Sequence, residues 1–187
     1  HSRKSYYKIA PQCVDLKEKV EMSVVDFAKE HYSFNFDIVF YDVTTLYFET
    51  FEEDELRKNG FSKDNKSQQP QILVALMVTK EGFPIAFEIF SGNTFEGHTI
   101  IPTIKNFIGR NKVKEFTVVA DAAMISSENI TQLNQNEINY IVGARLGNLS
   151  IKLLGTIDEQ IVRQDGKSIR IKTELGYLIC SYSSVRY

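Results

Sequence analysis

The stretch Phe36–Phe48, with the sequence FDIVFYDVTTLYF, decides the fold. It is rich in β-branched and aromatic residues and is apolar on both faces, which predicts a buried strand. A carboxylate in the middle of the run, Asp42, interrupts it. Burying an isolated carboxylate is unfavourable unless it is protonated, hydrogen-bonded or bound to a metal. Asp42 is therefore either a metal ligand or an aspartate at a strand edge that bonds a local donor such as Thr44.

The segments around this strand alternate between helical and extended patterns. Apolar residues at helical spacing predict a helix over about residues 15–30. Two apolar runs joined by a turn at Lys80–Gly82 predict an antiparallel hairpin. The remaining patterns predict, in order, a helix from about Ile100 to Gly109, a short strand at Phe116–Ala120, a helix capped by Ser126 or Ser127, and a strand at Tyr140–Ala144. This order predicts an α/β fold, a mixed sheet flanked by helices.

The chain divides into three stretches with different residue patterns. Residues 1–35 form an N-terminal helical segment, residues 36–147 carry the mixed-sheet core, and residues 148–187 are β-rich. In the last stretch, short β-like runs at 160–163, 168–172 and 177–182 are separated by Asp165-Gly166, a hairpin signal, and by Gly176.

Composition limits the functional classes. The chain has 187 residues, 43% of them hydrophobic, and a formal net charge of -2, which predicts one soluble globular domain and argues against a strongly basic nucleic-acid binder. No apolar run reaches the ~18 residues of a membrane span. Two cysteines are too few for a disulfide scaffold, which predicts a reduced, cytoplasmic setting.

Asp121 is the second candidate site residue. It follows a short buried strand directly, and ligand sites in open α/β sheets collect at that edge. An Asx turn or a helix-entry residue is the alternative interpretation. If the strands of Asp42 and Asp121 are neighbours in the sheet, the two carboxylates can share a divalent cation, because Mg²⁺ prefers hard oxygen ligands.

Six motifs carry a resemblance to a known family. They are Tyr41–Phe48, Gly60–Asp64, Glu81–Pro84, Phe90–Thr94, Val118–Ser126 and Tyr140–Arg145. In order and spacing they resemble the DDE transposases of bacterial insertion sequences, over about residues 36–150. Ala123 is a departure, because the family usually has glycine there.

The resemblance implies a ribonuclease-H-like fold and a two-metal site that uses Mg²⁺ or Mn²⁺ for DNA strand cleavage and transfer. Asp42 and Asp121 correspond to the first two metal ligands. The family's third ligand is a glutamate on a helix that follows a β-rich insertion, and we expect it outside this chain. Glu174 lies in a β-like stretch without the family's Tyr-Arg-Glu-Lys context. Lys63 and Arg145 are candidate DNA contacts, although a solvated lysine and a surface ion pair are the alternatives.

The same resemblance implies double-stranded DNA as the partner, both transposon ends and target, with a homodimer acting at paired ends. It places the protein in the bacterial cytoplasm, associated with the nucleoid. Two alternatives stay open. One is a folded but inactive transposase remnant that acts at most as a DNA-binding module. The other is a phosphotransferase with Asp42 as nucleophile, but Asp42-Val43-Thr44 lacks the second aspartate of an Asp-x-Asp motif.

Overall fold

The computed structural model describes residues 3–33, 37–61, 68–111, 113, 115–124 and 126–185. The chain forms two compact units, His1–Val142 and Gly143–Tyr187. Within the described residues, no helix is long and apolar enough to cross a membrane.

Over its described residues, the first unit contains four α-helices and five strands. In chain order they are α1 (Arg3–Asp15), α2 (Lys17–Tyr32), β1 (Ile38–Tyr47), β2 (Gln71–Thr79), β3 (Pro84–Ser91), α3 (Ile100–Asn111), β4 (Thr117–Ala120), α4 (Ser127–Gln135) and β5 (Asn139–Val142). Two short 3-10 helices, the 96–98 turn (Glu96–His98) and the 122–124 turn (Ala122–Met124), follow β3 and β4.

The five strands form one mixed sheet in the order β3-β2-β1-β4-β5. β2 pairs antiparallel with both β1 and β3, whereas β1, β4 and β5 run parallel to one another. The predicted hairpin is thus β2 and β3, and the two later strands join β1 from the other side. This order confirms the predicted ribonuclease-H-like mixed sheet with flanking helices.

One face of the sheet carries the hydrophobic core. Val39, Tyr41 and Val43 of β1 are buried there, and α2, α3 and α4 contribute buried residues to the same cluster. The prediction that β1 is buried on both faces is wrong. Its alternate residues lie on the second face, where Phe40 is 41% and Leu46 is 49% exposed. The exposed face of β1 also carries apolar side chains, so its sequence has the continuous apolar pattern of a strand that is covered on both faces.

A charge network fastens α2 and α3 to the edge strand β3. The Glu21 carboxylate is 7% exposed, accepts a hydrogen bond from the Phe87 backbone N–H at 3.0 Å, and pairs with Lys17 at 3.0 Å. Arg110 of α3 bonds both Glu21 (2.9 Å) and Glu88 (3.0 Å). Because an edge strand offers unpaired backbone donors to other chains, Glu21 also protects the sheet against edge-to-edge pairing.

The residues on either side of the 62–67 stretch are tied to the ends of β2 and β3. Lys58 and Gln71 exchange two backbone hydrogen bonds, and the buried Gln71 amide donates to the carbonyls of Gly92 (2.8 Å) and Phe61 (3.2 Å). A Cβ on Gly92 would lie 2.0 Å from the Gln71 carbonyl oxygen, so only glycine permits this approach. The junction therefore depends on backbone contacts that a side chain would separate.

The second unit contains helix α5 (Ile151–Gln160) and a hairpin of β6 (Ser168–Thr173) and β7 (Gly176–Ser181). The sequence predicts a β-like run at 160–163, but α5 extends to Gln160 and the next strand begins at Ser168. Ser150 caps α5 by accepting a hydrogen bond from the Leu153 N–H. The strands of the hairpin join at 174–175, whereas Asp165-Gly166 lies before them.

Replacing Glu21 with alanine is expected to lower the free energy of unfolding by about 2–4 kcal/mol, because Arg110, Lys17 and the Phe87 N–H lose a nearly buried acceptor. Urea unfolding measures the change. Glu18→Ala on the same helix is the control, since the Glu18 side chain is 67% exposed and lies 3.4 Å from Arg110. Equal losses for the two variants would contradict the role given to Glu21.

Gly92→Ala is expected to destabilise the first unit by at least about 3 kcal/mol, because the new methyl group overlaps backbone atoms that cannot move independently. Gly109→Ala is the matched control. Gly109 lies in α3, where an added Cβ would meet no described atom within 4 Å, so alanine should stabilise the helix by about 0.5–1 kcal/mol. Thermal or urea unfolding of both variants tests the pair, and a Gly92→Ala protein as stable as the wild type is the contrary result.

Candidate metal centre

Asp42 and Asp121 lie side by side at the centre of the sheet. β1 and β4 pair in parallel from Ile38↔Thr117 to Tyr41↔Ala120. Asp42 is the next residue after Tyr41, and Asp121 is the next residue after Ala120. The two aspartates therefore lie one residue beyond the last pair of the β1–β4 ladder, and paired strands are about 4.8 Å apart. The predicted adjacency of the first and fourth strands is confirmed.

Both aspartates are exposed to solvent. For Asp42 this follows from the alternation of side chains along a strand: Tyr41 points into the core, so its neighbour points to the opposite, exposed face. The expectation that Asp42 is a buried carboxylate is wrong for this reason. Exposure removes the desolvation cost that made Asp42 conspicuous in the sequence, and it leaves the carboxylate accessible to a cation.

The chain turns sharply after Asp121. Its Oδ1 accepts a hydrogen bond from the Ala122 N–H, and the Met124 N–H donates to the Asp121 carbonyl at 3.2 Å. Ser126 then caps α4 by accepting from the Asn129 N–H at 3.1 Å, as the sequence predicts. Asp121 thus forms a local Asx-type contact, and this contact leaves its second carboxylate oxygen for other partners.

A hydroxyl network lies on the opposite side of β1 from Asp42. The Tyr41 hydroxyl is 2.6 Å from Thr99 Oγ1, and Thr99 Oγ1 donates to the Glu96 carbonyl at 2.6 Å. Since a threonine hydroxyl has one hydrogen, Tyr41 is the donor to Thr99. Burial raises the pKa of the Tyr41 hydroxyl to about 12, against the lowering effect of its hydrogen bonds to Thr99 and Thr103.

The donor set fits a hard divalent cation in part. Two carboxylates on neighbouring strands provide oxygen ligands of the kind that Mg²⁺ binds together with water and phosphate oxygens. Over the described part of the chain, no three His, Cys, Asp or Glu side chains come together as a metal-binding group. Asp42 and Asp121 therefore form at most part of a coordination sphere.

The two other predicted site residues lie outside the described part of the first unit. Lys63 lies outside the described residues. Arg145 is exposed, precedes the short helix Leu146–Asn148 and belongs to the second unit. Sequence reasoning missed two buried polar residues, Thr99, which is bonded to Tyr41, and Asn129, which is bonded to Met124, because neither has a local pattern that distinguishes it from a surface residue.

The fold and the site define the class of protein. The class is a ribonuclease-H-like domain with one aspartate within β1 and another directly after the parallel strand β4, and the family comparison gives the particular family. The profile described as "Transposase DDE domain" matches residues 34–178. The chain therefore belongs to the DDE transposase family.

Solved transposases show distant similarity to the chain. The Mos1 transposase paired-end complex with left transposon end is 10% identical, with a TM-score of 0.39 over 76% of this chain and 53% of that chain. The piggyBac transposase synaptic complex with hairpin DNA is 12% identical, with a TM-score of 0.46 over 88% and 39%. The chain thus spans about half or less of these solved chains. Curated proteins give no match.

Tyr41→Phe is expected to change how stability depends on pH. The pKa of Tyr41 in the folded protein, about 12, lies above its ordinary value of 10.0, so the unfolded chain loses this proton first. The stabilising contribution is complete below about pH 10 and is lost as the pH rises through 12. By linkage it amounts to about 2–3 kcal/mol.

Urea unfolding at several pH values between 9 and about 12 measures this contribution. The free energy of unfolding should fall more steeply for the wild type than for Tyr41→Phe, because groups other than Tyr41 titrate equally in both proteins. Tyr6→Phe, at a tyrosine that is 67% exposed, should follow the wild type. Parallel curves for wild type and Tyr41→Phe would contradict the assignment.

Proposed function

We propose that this chain supplies two acidic ligands, Asp42 and Asp121, to a divalent-metal site that cleaves and transfers DNA strands during transposition of a bacterial insertion sequence. The observation that carries the proposal is the parallel β1–β4 ladder, whose last pair, Tyr41↔Ala120, directly precedes Asp42 and Asp121. Membership of the DDE transposase family supports it independently.

Each aspartate contributes one part of this site. Asp42 projects from the middle of β1, where pairing with Leu76 of β2 holds its backbone and the preceding residue, Tyr41, pairs with Ala120 of β4. Asp121 follows the end of β4 and can orient its free carboxylate oxygen toward the same point. A bound Mg²⁺ or Mn²⁺ would polarise the scissile phosphate and activate the attacking water or 3′ hydroxyl. The two carboxylates hold that charge beside the DNA backbone.

The proposed site needs a further acidic ligand, which the family resemblance places on a later helix. Double-stranded DNA is the proposed substrate, because its phosphate oxygens complete the coordination of such a cation. The exposed Arg145 is a candidate contact to the DNA backbone, where it would add affinity without reading sequence.

Asp42→Asn and Asp121→Asn are expected to remove Mn²⁺ binding and DNA cleavage together. Each change keeps the side chain's size and deletes a negative ligand. In the protein at its natural full length, cleavage of transposon-end DNA should fall more than about 100-fold, beyond the 10–100-fold typical of outer-shell partners. Binding of end DNA should change little, because backbone contacts and metal ligation are separate contributions.

The 187-residue chain allows a simpler measurement, the titration of Mn²⁺ followed by its EPR signal. Asp26→Asn on α2 is the matched control, since it makes the same charge change at an exposed helical position. Wild-type cleavage that persists in both variants would sink the proposal. DNA binding by a wild-type protein that never cleaves in Mg²⁺ or Mn²⁺ would instead favour the inactive remnant.

A further inference from the structure

The position of Asp121 is not fixed by the sheet. The β1–β4 ladder ends at Tyr41↔Ala120, and the next residue of the chain already enters the 122–124 turn. Asp42, in contrast, lies within β1, where it pairs with Leu76 of the neighbouring strand β2. Something outside the ladder must therefore set where the Asp121 carboxylate lies relative to Asp42.

Asn129 of α4 provides one connection. Its side chain is buried, and its amide donates both hydrogens, one to the Gly97 carbonyl at 2.6 Å and one to the Met124 carbonyl at 2.9 Å. Gly97 belongs to the 96–98 turn and Met124 to the 122–124 turn. One planar amide group therefore holds the two turns at a fixed separation, three residues beyond Asp121.

Tyr41 provides the second connection. Its hydroxyl donates to Thr99, the residue that ends the 96–98 turn, and Thr99 donates back into that turn at the Glu96 carbonyl. Tyr41 directly precedes Asp42 in β1. The 96–98 turn is thus bonded on one side to the neighbour of Asp42 and on the other side to the turn that follows Asp121.

We propose that Tyr41, Thr99 and Asn129 are positioning residues that set the separation of the Asp42 and Asp121 carboxylates through the 96–98 turn. We call these three residues together with Gly97 the carboxylate clamp. The inference rests on the proposed function, because it takes the two aspartates as metal ligands. The clamp touches neither carboxylate. It acts by holding the chain next to each aspartate: Tyr41, which precedes Asp42, and Met124, which ends the turn after Asp121.

The test compares side chains of nearly equal shape. Thr99→Val deletes the hydroxyl and keeps the branched outline, whereas Thr99→Ser keeps the hydroxyl. Asn129→Ala deletes both donors. Asn134→Ala is the control on the same helix, because the Asn134 amide is exposed and bonds the Tyr140 hydroxyl at 3.4 Å. Tyr41→Phe, which removes a single oxygen, replaces Asn129→Ala in the comparison if that variant does not fold.

Two readouts are measured on the 187-residue chain. The first is Mn²⁺ affinity by EPR titration, with Asp42→Asn as the reference for loss of a ligand. Thr99→Val and Asn129→Ala should weaken Mn²⁺ binding about tenfold, as expected when an outer-shell partner is removed. Thr99→Ser and Asn134→Ala should bind as the wild type does. The second readout is amide hydrogen exchange at residues 121–124, which should become faster in Thr99→Val although Thr99 lies in a different turn.

The outcomes separate the clamp from the metal site. Wild-type Mn²⁺ affinity in folded Thr99→Val and Asn129→Ala overturns the clamp. If Asp42→Asn binds Mn²⁺ as tightly as the wild type does, the proposed metal site fails. In that event, or if the wild-type chain with its two ligands binds Mn²⁺ too weakly to titrate, exchange alone decides about the connection. In that case, faster exchange at 121–124 in both variants supports a clamp that positions the two aspartates, and unchanged exchange overturns it.

Discussion

The parallel pairing of β1 with β4 is the constraint on which the site depends. It brings together two carboxylates that are far apart in the sequence, because its last pair, Tyr41↔Ala120, directly precedes both aspartates. Like charges at that spacing repel each other, and in a dry environment one of them would take up a proton. Here both side chains are exposed, so water screens the repulsion. The fold thus concentrates negative charge at a point that solvent and a cation can reach.

The two-residue period of the strand separates packing from chemistry. Tyr41 and Val43 enter the core, and Asp42 between them faces the open side of the sheet. A shift of one residue in the β1–β4 register would place Asp42 in the core and Tyr41 in water. Both changes are unfavourable, because one buries a charge and the other exposes an aromatic ring. The buried tyrosine therefore helps to specify the face on which the acid appears. The charged network around Glu21 acts at an edge of the sheet, where it ties strand β3 to helices α2 and α3.

Local patterns in the sequence were sufficient for the order of the elements from α2 to β5, whereas helix α1, which has no buried residue, was not predicted as a separate helix. Apolar runs marked β2 and β3, and Ser126 marked the start of α4, because hydrophobic periodicity and capping are short-range effects. The exposure of Asp42 was not predictable from apolar neighbours, since Phe40 and Leu46 lie on a face that is only partly covered. The bond between Tyr41 and Thr99 joins residues 58 positions apart, and no local pattern records it. Helix α5 was missed because a short apolar run is compatible with either periodicity.

Under the proposed function, the two carboxylates fill only part of the cation's coordination sphere. Mg²⁺ prefers six oxygens in octahedral geometry and keeps several waters, so two acidic ligands alone bind it weakly. Phosphate oxygens of DNA, with a further acid, would fill the remaining positions. Metal binding and DNA binding then stabilise each other by the same free energy, because such coupling is reciprocal. The separation of Asp42 and Asp121 sets the size of this coupling, since carboxylates held too far apart could not bind one cation together with the phosphate. Under the proposed function, residues that fix this separation therefore affect metal binding and cleavage even though they do not contact the metal.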